Sequence, residues 1–513
     1  MADGNEDARL GRLPATGHAQ LKHGLAEPKF RFSRMGPGGT GLQQGEVTRV
    51  KLAAAMTAGS SLDGSIPSGF TYLGQFIDHD LTFDRTNVMF DTDVSPAQML
   101  QGRSPTVDLD SLYGAGPNDP GSVQFYSDGV HLETGDSMAS GGEAAFPGHD
   151  LPRAGTGTVV AKRVAVIPDP RNDENLAVAQ THVMFIRFHN HVVDTLPSTP
   201  ASLEFTRARE KVTRHHQWMI RHDFLPRICD SSILDDVFTN GRKVFEVGVD
   251  PTSMPTMPVE FSIAAYRLGH SMVRSAYNWN KDFDNHSGTL DYLFEFTALS
   301  GNLGGSPRLI SPWVADFRRL YDFSEAGRAD LVVPPAKFNH AHRIDTRLSP
   351  PLATLPAGAL PAPPTDPEQT NLAYRNLTRA FMVKLATGQQ MVALLKSKGV
   401  TVTALTDAQI RDGSDGADLS ALTSTQRARV LADTPLWFYI LREAELNGGK
   451  LTGVGGRIVA ETFHRAIEGS KFSIIRAPNF TPTLGPDAAT FRMVDLILFA
   501  CNGQVNQINP LGN

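Results

Sequence analysis

Gln75, Asp78 and His79 stand three and four residues apart in the run YLGQFIDHDLTFD, Tyr72 to Asp84. In a helix those offsets share one face. The spacing therefore gathers an amide, a carboxyl and an imidazole where a proton could be handled. Asp80 is turned about 100° from His79, because 3.6 residues complete a turn, which frees it to bind a cation on the other side. The plainer reading is a surface helix with a His–Asp pair, and DHD taken alone does not decide between them.

A second constellation is SPTVDLDSLYG, Ser104 to Gly114. Asp108 and Asp110, with Ser104 and nearby carbonyls, make an oxygen-rich loop of the kind calcium needs, and Asp80 could complete its set of six to eight oxygens. EF-hand spacing is absent, and an Asx-rich turn leading into a strand explains the same residues. A third run, DPRNDENLAVAQTHVMFIRFHNHVVD, places Arg171 three residues before Glu174. An arginine held near a histidine can polarise an oxyanion; alternatively the pair is an i,i+3 bridge with the glutamate favoured by the helix dipole. His182, His189 and His191 follow, but no zinc spacing appears and they read as structural or surface residues. The fourth pair is AAYRLGHSMVR and NLTRAFMVKLATGQQM. Arg267 shares a helical face with His270, and Asn376 with Arg379. A neutral imidazole is the common axial ligand of haem iron and usually has a partner on its other nitrogen, a role open to Asn376. Two arginines beside such a site would neutralise two propionates. A lone histidine on an apolar helix is otherwise a core residue.

The elements that must position these groups are helices. Apolar residues recur at helical spacing over 176–196, 202–224, 258–273, 370–395, 424–445 and 455–467, whereas strand-like runs such as 159–167 are short. Loop-like stretches run from about Gly114 to Gly157 and from Val332 to Pro367. The chain reads as mainly α, with an extended N-terminal arm over 1–45, one large helical domain over 46–513, long loops and little β structure. No repeat or low-complexity tract occurs.

Composition limits the function. The 513 residues are 41% hydrophobic and carry a net charge of −6 with no polybasic run, which argues against a nucleic-acid partner. Two cysteines, Cys229 and Cys501, make neither a disulfide framework nor a zinc site. No stretch reaches the ~20 apolar residues of a membrane span, and no secretory leader is read. The expectation is a cytoplasmic protein, non-classical export leaving no trace in a sequence.

Each motif is modest alone, but the series QFIDHD, DLDSLYG, RNDE, YRLGH, NLTR resembles the animal-type haem peroxidase (peroxidase–cyclooxygenase) family from about Thr71 to Glu461. The resemblance implies haem b, calcium, hydrogen peroxide as oxidant, and a role in responding to oxidative stress. Gln75 and His79 match the distal glutamine and histidine, Arg171 the distal arginine, and His270 the proximal iron ligand with Asn376 as its partner. Asp78 and Glu174 match carboxylates that form ester bonds to the haem in mammalian members. Arg267 and Arg379 match positions near the propionates. Asp80, Ser104, Thr106, Asp108 and Asp110 match the calcium site, with Ser104 where threonine is usual and Asp110 where serine is usual.

Two departures bear on the substrate. A chloride-oxidising mammalian member carries a methionine, bonded to the haem, directly after the ester-forming glutamate; here Asn175 stands there. Iodide, bromide, thiocyanate or a small phenol is thus the expected donor rather than chloride. Fatty-acid dioxygenases of the family place a radical-forming tyrosine three residues before the proximal histidine; here that position is Arg267, with Tyr266 one residue away. A haem-dependent fatty-acid dioxygenase and a calcium-binding structural or adhesion module on a peroxidase fold are the two alternatives.

Overall fold

Capping residues and prolines cut the apolar periodicities into shorter helices than the spacing alone suggests. The computed structural model describes residues 30–39, 44–59, 61–139, 141–155, 163–197, 200–360 and 363–513. The longer helices are α1 (Glu46–Met56), α2 (Gly69–Leu81), α3 (Leu176–Asp194), α4 (Ala201–Met219), α5 (Ser231–Asn240), α6 (Leu372–Met382), α7 (Gly388–Ser397), α8 (Ser424–Ala432), α9 (Leu436–Glu445), α10 (Gly453–Glu468) and α11 (Met493–Ala500). The fold is mainly α, as expected.

Where one helix was expected over 370–395, there are two. Lys384 turns left-handed at φ 49°, and Thr387 with Gln390 forms a reciprocal capping box that starts α7. Likewise 424–445 divides at Pro435, which stands at the N-cap of α9. The expected helix over 258–273 is instead a π turn (Glu260–Ala264), a 3-10 turn (Ala265–Leu268) and one α-helical turn (Gly269–Met272). Carbonyls in this broken ladder take side-chain donors: Arg267 Nε reaches Ser262 O at 3.0 Å, and Trp437 Nε1 reaches Arg267 O at 3.2 Å.

Helix α3 lies at the centre, packed by α2, α4 and α11, while α10 packs on α5 and α9. Phe76 of α2 stacks on Phe185 of α3 with centroids 4.4 Å apart. Burial of each such ring contributes on the order of 1.5–3 kcal/mol, so the pair locks α2 against the central helix. Helix α6 packs on α1 and on the π turn before His270. The strands are short: β1 (Phe32–Ser33) pairs in parallel with β3 (Met257–Pro258), β2 (Asp63–Pro67) antiparallel with β6 (His340–His342), and β4 (Ala276–Tyr277) antiparallel with β5 (Gly288–Thr289).

Of the expected N-terminal arm, residues 1–29 and 40–43 lie outside the described residues, as do 159–162 of the expected strand over 159–167, whose described remainder makes a single isolated bridge, Ala165 with Arg153, rather than a strand. The described part of the arm lies on the core: Met35 and Gly36 donate their backbone N–H to Glu260 at 2.8 and 3.1 Å. Among the described residues no helix is long and apolar enough to cross a membrane.

Candidate active site

Helix α2 is buried on most of its circumference, but Gly74, Gln75 and Asp78 form a half-buried strip along one side. Arg171, Glu174, Arg267 and His270 are half-buried as well, although all lie deep in the molecule. Deep side chains that keep accessible surface border open space, and these six polar residues do so near the buried His79.

His79 is buried beside that strip. Its Nδ1 contacts Asn172 Oδ1 at 2.8 Å, so Nδ1–H donates and Nε2 carries the lone pair. Burial first, then the positive charge of Arg171, pushes its pKa down to about 3, which keeps the ring neutral. The 3.7 Å approach of Nε2 to Glu174 Oε1 is therefore a polar contact rather than an ion pair. Glu174 also accepts a hydrogen bond from Gln75 Nε2, and burial pushes its carboxyl up to about 7. Burial likewise raises Asp78, against the pull of Arg267 and Arg171.

Arg171 is held on two sides. Asp169 accepts from its backbone N, Nε and Nη2 at 3.0, 3.0 and 2.7 Å. Nη2 also donates to His79 O and Thr82 O at 3.0 and 2.6 Å, closing the C-terminal end of α2. Phe83 lies under the guanidinium at 4.4 Å. Among the described residues Nη1 has no hydrogen-bond partner, which leaves its two N–H groups for a ligand. The expected bridge from Arg171 to Glu174 does not form: Arg171 sits in a 3-10 turn, Pro170–Asp173, whose cap is Asp169.

His270 stands on the turn that packs against α2. Its Nδ1 lies 2.8 Å from Asn376 Nδ2. The two orientations of an amide are isosteric; with the oxygen on Nδ1–H, Nε2 keeps its lone pair for a metal. Burial first, then Arg267, lowers its pKa to about 3, so the ring is neutral and fit to ligate iron. The donor set fits a haem: one supported neutral imidazole, an arginine beside it, and two carboxyls bordering the same open space. Arg379 does not stand free near Arg267, for it is ion-paired with Asp84. Arg375 takes the place nearer Arg267, whose charge adds to burial in lowering its pKa.

Asp80 faces the other side of α2 and accepts the backbone N–H of Leu109 and Ser111 at 2.9 and 3.0 Å. Leu109 is left-handed at φ 59°, which curls the loop around Asp80 and leads it into a helical turn, Asp110–Tyr113, rather than a strand. Ser104, Thr106 and Asp108 form a chain, with links of 2.6 and 2.7 Å. Asp108 also accepts from Ser470 Oγ at 2.6 Å, and Asp110 from Arg209 at 3.2 Å. The five residues are gathered, but their oxygens are committed to these hydrogen bonds. Among the described residues no three acidic, imidazole or thiol side chains converge as a metal-binding set.

Sequence reasoning missed Asp169, Asn172 and Arg375, and read His182 as structural or surface. The first two flank Arg171 in DPRNDE, so their polarity was a signal; His182 was indistinguishable from His189, which bonds Tyr113 OH and Val130 O at 3.0 and 2.9 Å. Tyr266 is buried, with no partner among the described residues for its hydroxyl, which comes near Gly74 on the half-buried strip.

Residues 65–301, a little under half of the chain, match the profile of the family described as animal haem peroxidase. Mouse thyroid peroxidase is 26% identical over 206 residues, 38% of this chain and 22% of its own length; the chain thus matches about a fifth of that relative. Peroxidase A from Dictyostelium discoideum has a TM-score of 0.59 at 14% identity, covering 94% of both chains. A fatty acid alpha-dioxygenase from Arabidopsis thaliana gives 0.50 at 12% identity, covering 92% of this chain and 76% of that one. These two structures share the fold.

Proposed function

We propose that this chain is a haem peroxidase that reduces hydrogen peroxide and oxidises a small donor. The observation that carries the reading is a neutral His79 whose Nδ1 is held by Asn172 and whose own backbone carbonyl accepts from Arg171 Nη2. His270, backed by Asn376, would hold the haem, with Arg267 beside it; a bound haem would supply the redox iron through which two electrons pass from the donor to peroxide. His79 Nε2 takes the proton from one peroxide oxygen and returns it to the other, acting as base and then acid. The free Nη1 of Arg171 donates to the oxygen on which negative charge develops. Gln75, fixed through its Oε1 by Asn175 Nδ2 at 2.9 Å, positions a water or anion near His79.

Asp78 and Glu174 are the carboxyls for ester links to the haem. Asp80, Ser104, Thr106, Asp108 and Asp110 would hold calcium in exchange for their internal hydrogen bonds, and Asp80 so held would stiffen the end of α2 that carries His79. Asn175 caps α3, accepting Val178 N–H at 3.0 Å, and offers no sulfur to the haem. The donor is therefore iodide, bromide, thiocyanate or a small phenol rather than chloride.

His79→Ala tests the reading by stopped-flow absorbance with peroxide. The reaction slows by about 100- to 10,000-fold, the usual worth of a general acid–base, while haem stays bound. An unchanged rate removes His79 from the mechanism. Fatty-acid dioxygenation is the second reading, favoured by the approach of the Tyr266 hydroxyl to the strip on α2; oxygen uptake with a fatty acid and no peroxide would establish it.

A further inference from the structure

Asn172 has a second partner. Its Oδ1 faces His79 Nδ1 at 2.8 Å, and its Nδ2 faces His182 Nδ1 at 2.9 Å. All three side chains are buried. Among the described residues His182 Nε2 has no hydrogen-bond partner, and its ring lies edge-on to Phe76 of α2 at 5.6 Å. The protons of the triad are thereby linked. An amide has one donor end and one acceptor end. If Nδ2 donates to His182, Oδ1 must accept from His79, and the His79 lone pair is left on Nε2. If the amide is reversed, His79 carries its proton on Nε2 and cannot accept one there.

Resting on the peroxidase reading of His79, we propose that His182 is a positioning residue: as acceptor for Asn172 it fixes the amide, and through it the base-competent tautomer of His79. Two histidines far apart in sequence, one on α2 and one on α3, are coupled because the 3-10 turn Pro170–Asp173 delivers Asn172 to both. His182 touches neither that open space nor substrate. Its effect is carried wholly by the direction of one amide.

The test compares His182→Leu, which removes the acceptor at similar size, with His182→Asn, whose Oδ1 overlays the lost Nδ1. Histidine 15N NMR of the full chain is recorded without haem and again in the diamagnetic ferrous carbon-monoxide form. Wild type and His182→Asn show a protonated Nδ1 and an unprotonated Nε2 at His79, whereas His182→Leu shifts protonation to Nε2. In parallel, the rate with peroxide falls about tenfold or more in His182→Leu and recovers in His182→Asn, the size expected when a general base spends most of its time in the wrong tautomer. A His79 tautomer unchanged in His182→Leu overturns the proposal, and so does a wild-type chain with the proton on Nε2. A wild-type protein with the expected tautomers but no reaction with peroxide sinks the functional reading and leaves the triad standing.

Discussion

Replacing Asp169 by asparagine removes the negative charge on which the whole Arg171 arrangement rests. The carboxylate is fully buried and accepts from Arg171 N, Nε and Nη2 and from Arg103 Nε at 2.9 Å. Burial alone would raise its pKa, but Arg171 and then Arg103 hold it far below the ordinary carboxylate range. Deleting one partner of a buried ion pair costs about 3–5 kcal/mol, because the other charge stays buried and unpaired. With an unfolding entropy of roughly 2 cal/mol/K per residue, a chain of this length loses about 1 °C per kcal/mol, so Tm falls by about 3–5 °C. A depressed folded pKa stabilises above the unfolded value of about 3.9 and loses that effect as pH falls below it. The gap between wild type and variant therefore narrows in acid. Function suffers too: a guanidinium displaced by about 1 Å slows peroxide reduction by about 100-fold. Differential scanning calorimetry and stopped-flow absorbance measure both effects, with Asp330→Asn, at the exposed pair with Arg328, as a control that leaves both unchanged. An Asp169→Asn protein that melts and reacts like wild type would refute the reasoning.

His270→Ala folds but fails to retain haem, seen as loss of the Soret absorption; full retention would assign the iron to another residue. Calcium affinity, measured by calorimetry, falls by about tenfold per pH unit below neutrality as a proton competes for the site, because burial first and the charge of Asp110 second raise Asp80 to about 7. In the metal-free chain that raised carboxyl favours folding at low pH, and the advantage is lost as pH rises through 7, so added calcium raises Tm more at pH 8 than at pH 6; equal affinity at both would count against Asp80 as a ligand. After turnover with peroxide, acid–acetone extraction leaves haem attached to the chain, and the double replacement Asp78→Ala, Glu174→Ala releases it.

The helices were legible because apolar spacing is a strong local signal, and so were the faces of α2 that carry His79 and Asp80. Breaks were legible in principle: TGQQ at 387–390 is a capping box and Pro435 a stop. The distorted segment before His270 was not, since no proline or glycine run marks residues 260–268; its π and 3-10 turns depend on Arg267 and on Trp437, which comes from α9. The pairing of Arg379 with Asp84 was hidden for the same reason. Sequence separation of 295 residues leaves no local trace of which carboxylate an arginine will meet.

The seven residues from Asp169 to Asn175 show why the turn before α3 cannot be an ordinary helical start. Asp169 grips Arg171, Asn172 joins His79 to His182, Asp173 meets Arg153, Glu174 takes Gln75, and Asn175 caps α3 while holding the other end of Gln75. Those partners lie on several sides of the segment. An α-helix would put residues 171, 174 and 175 on one face and leave 172 and 173 pointing away together. The tighter 3-10 geometry, with three residues per turn, spreads the five side chains around the axis before Asn175 redirects the chain into α3. Arg171 and Glu174 then reach the open space, while Asn172 and Asp173 turn into the protein. One turn thereby orients the His79 imidazole, the Arg171 guanidinium and the Glu174 carboxyl, the groups the proposed mechanism uses, which makes the spacing of DPRNDEN a geometric requirement of their arrangement.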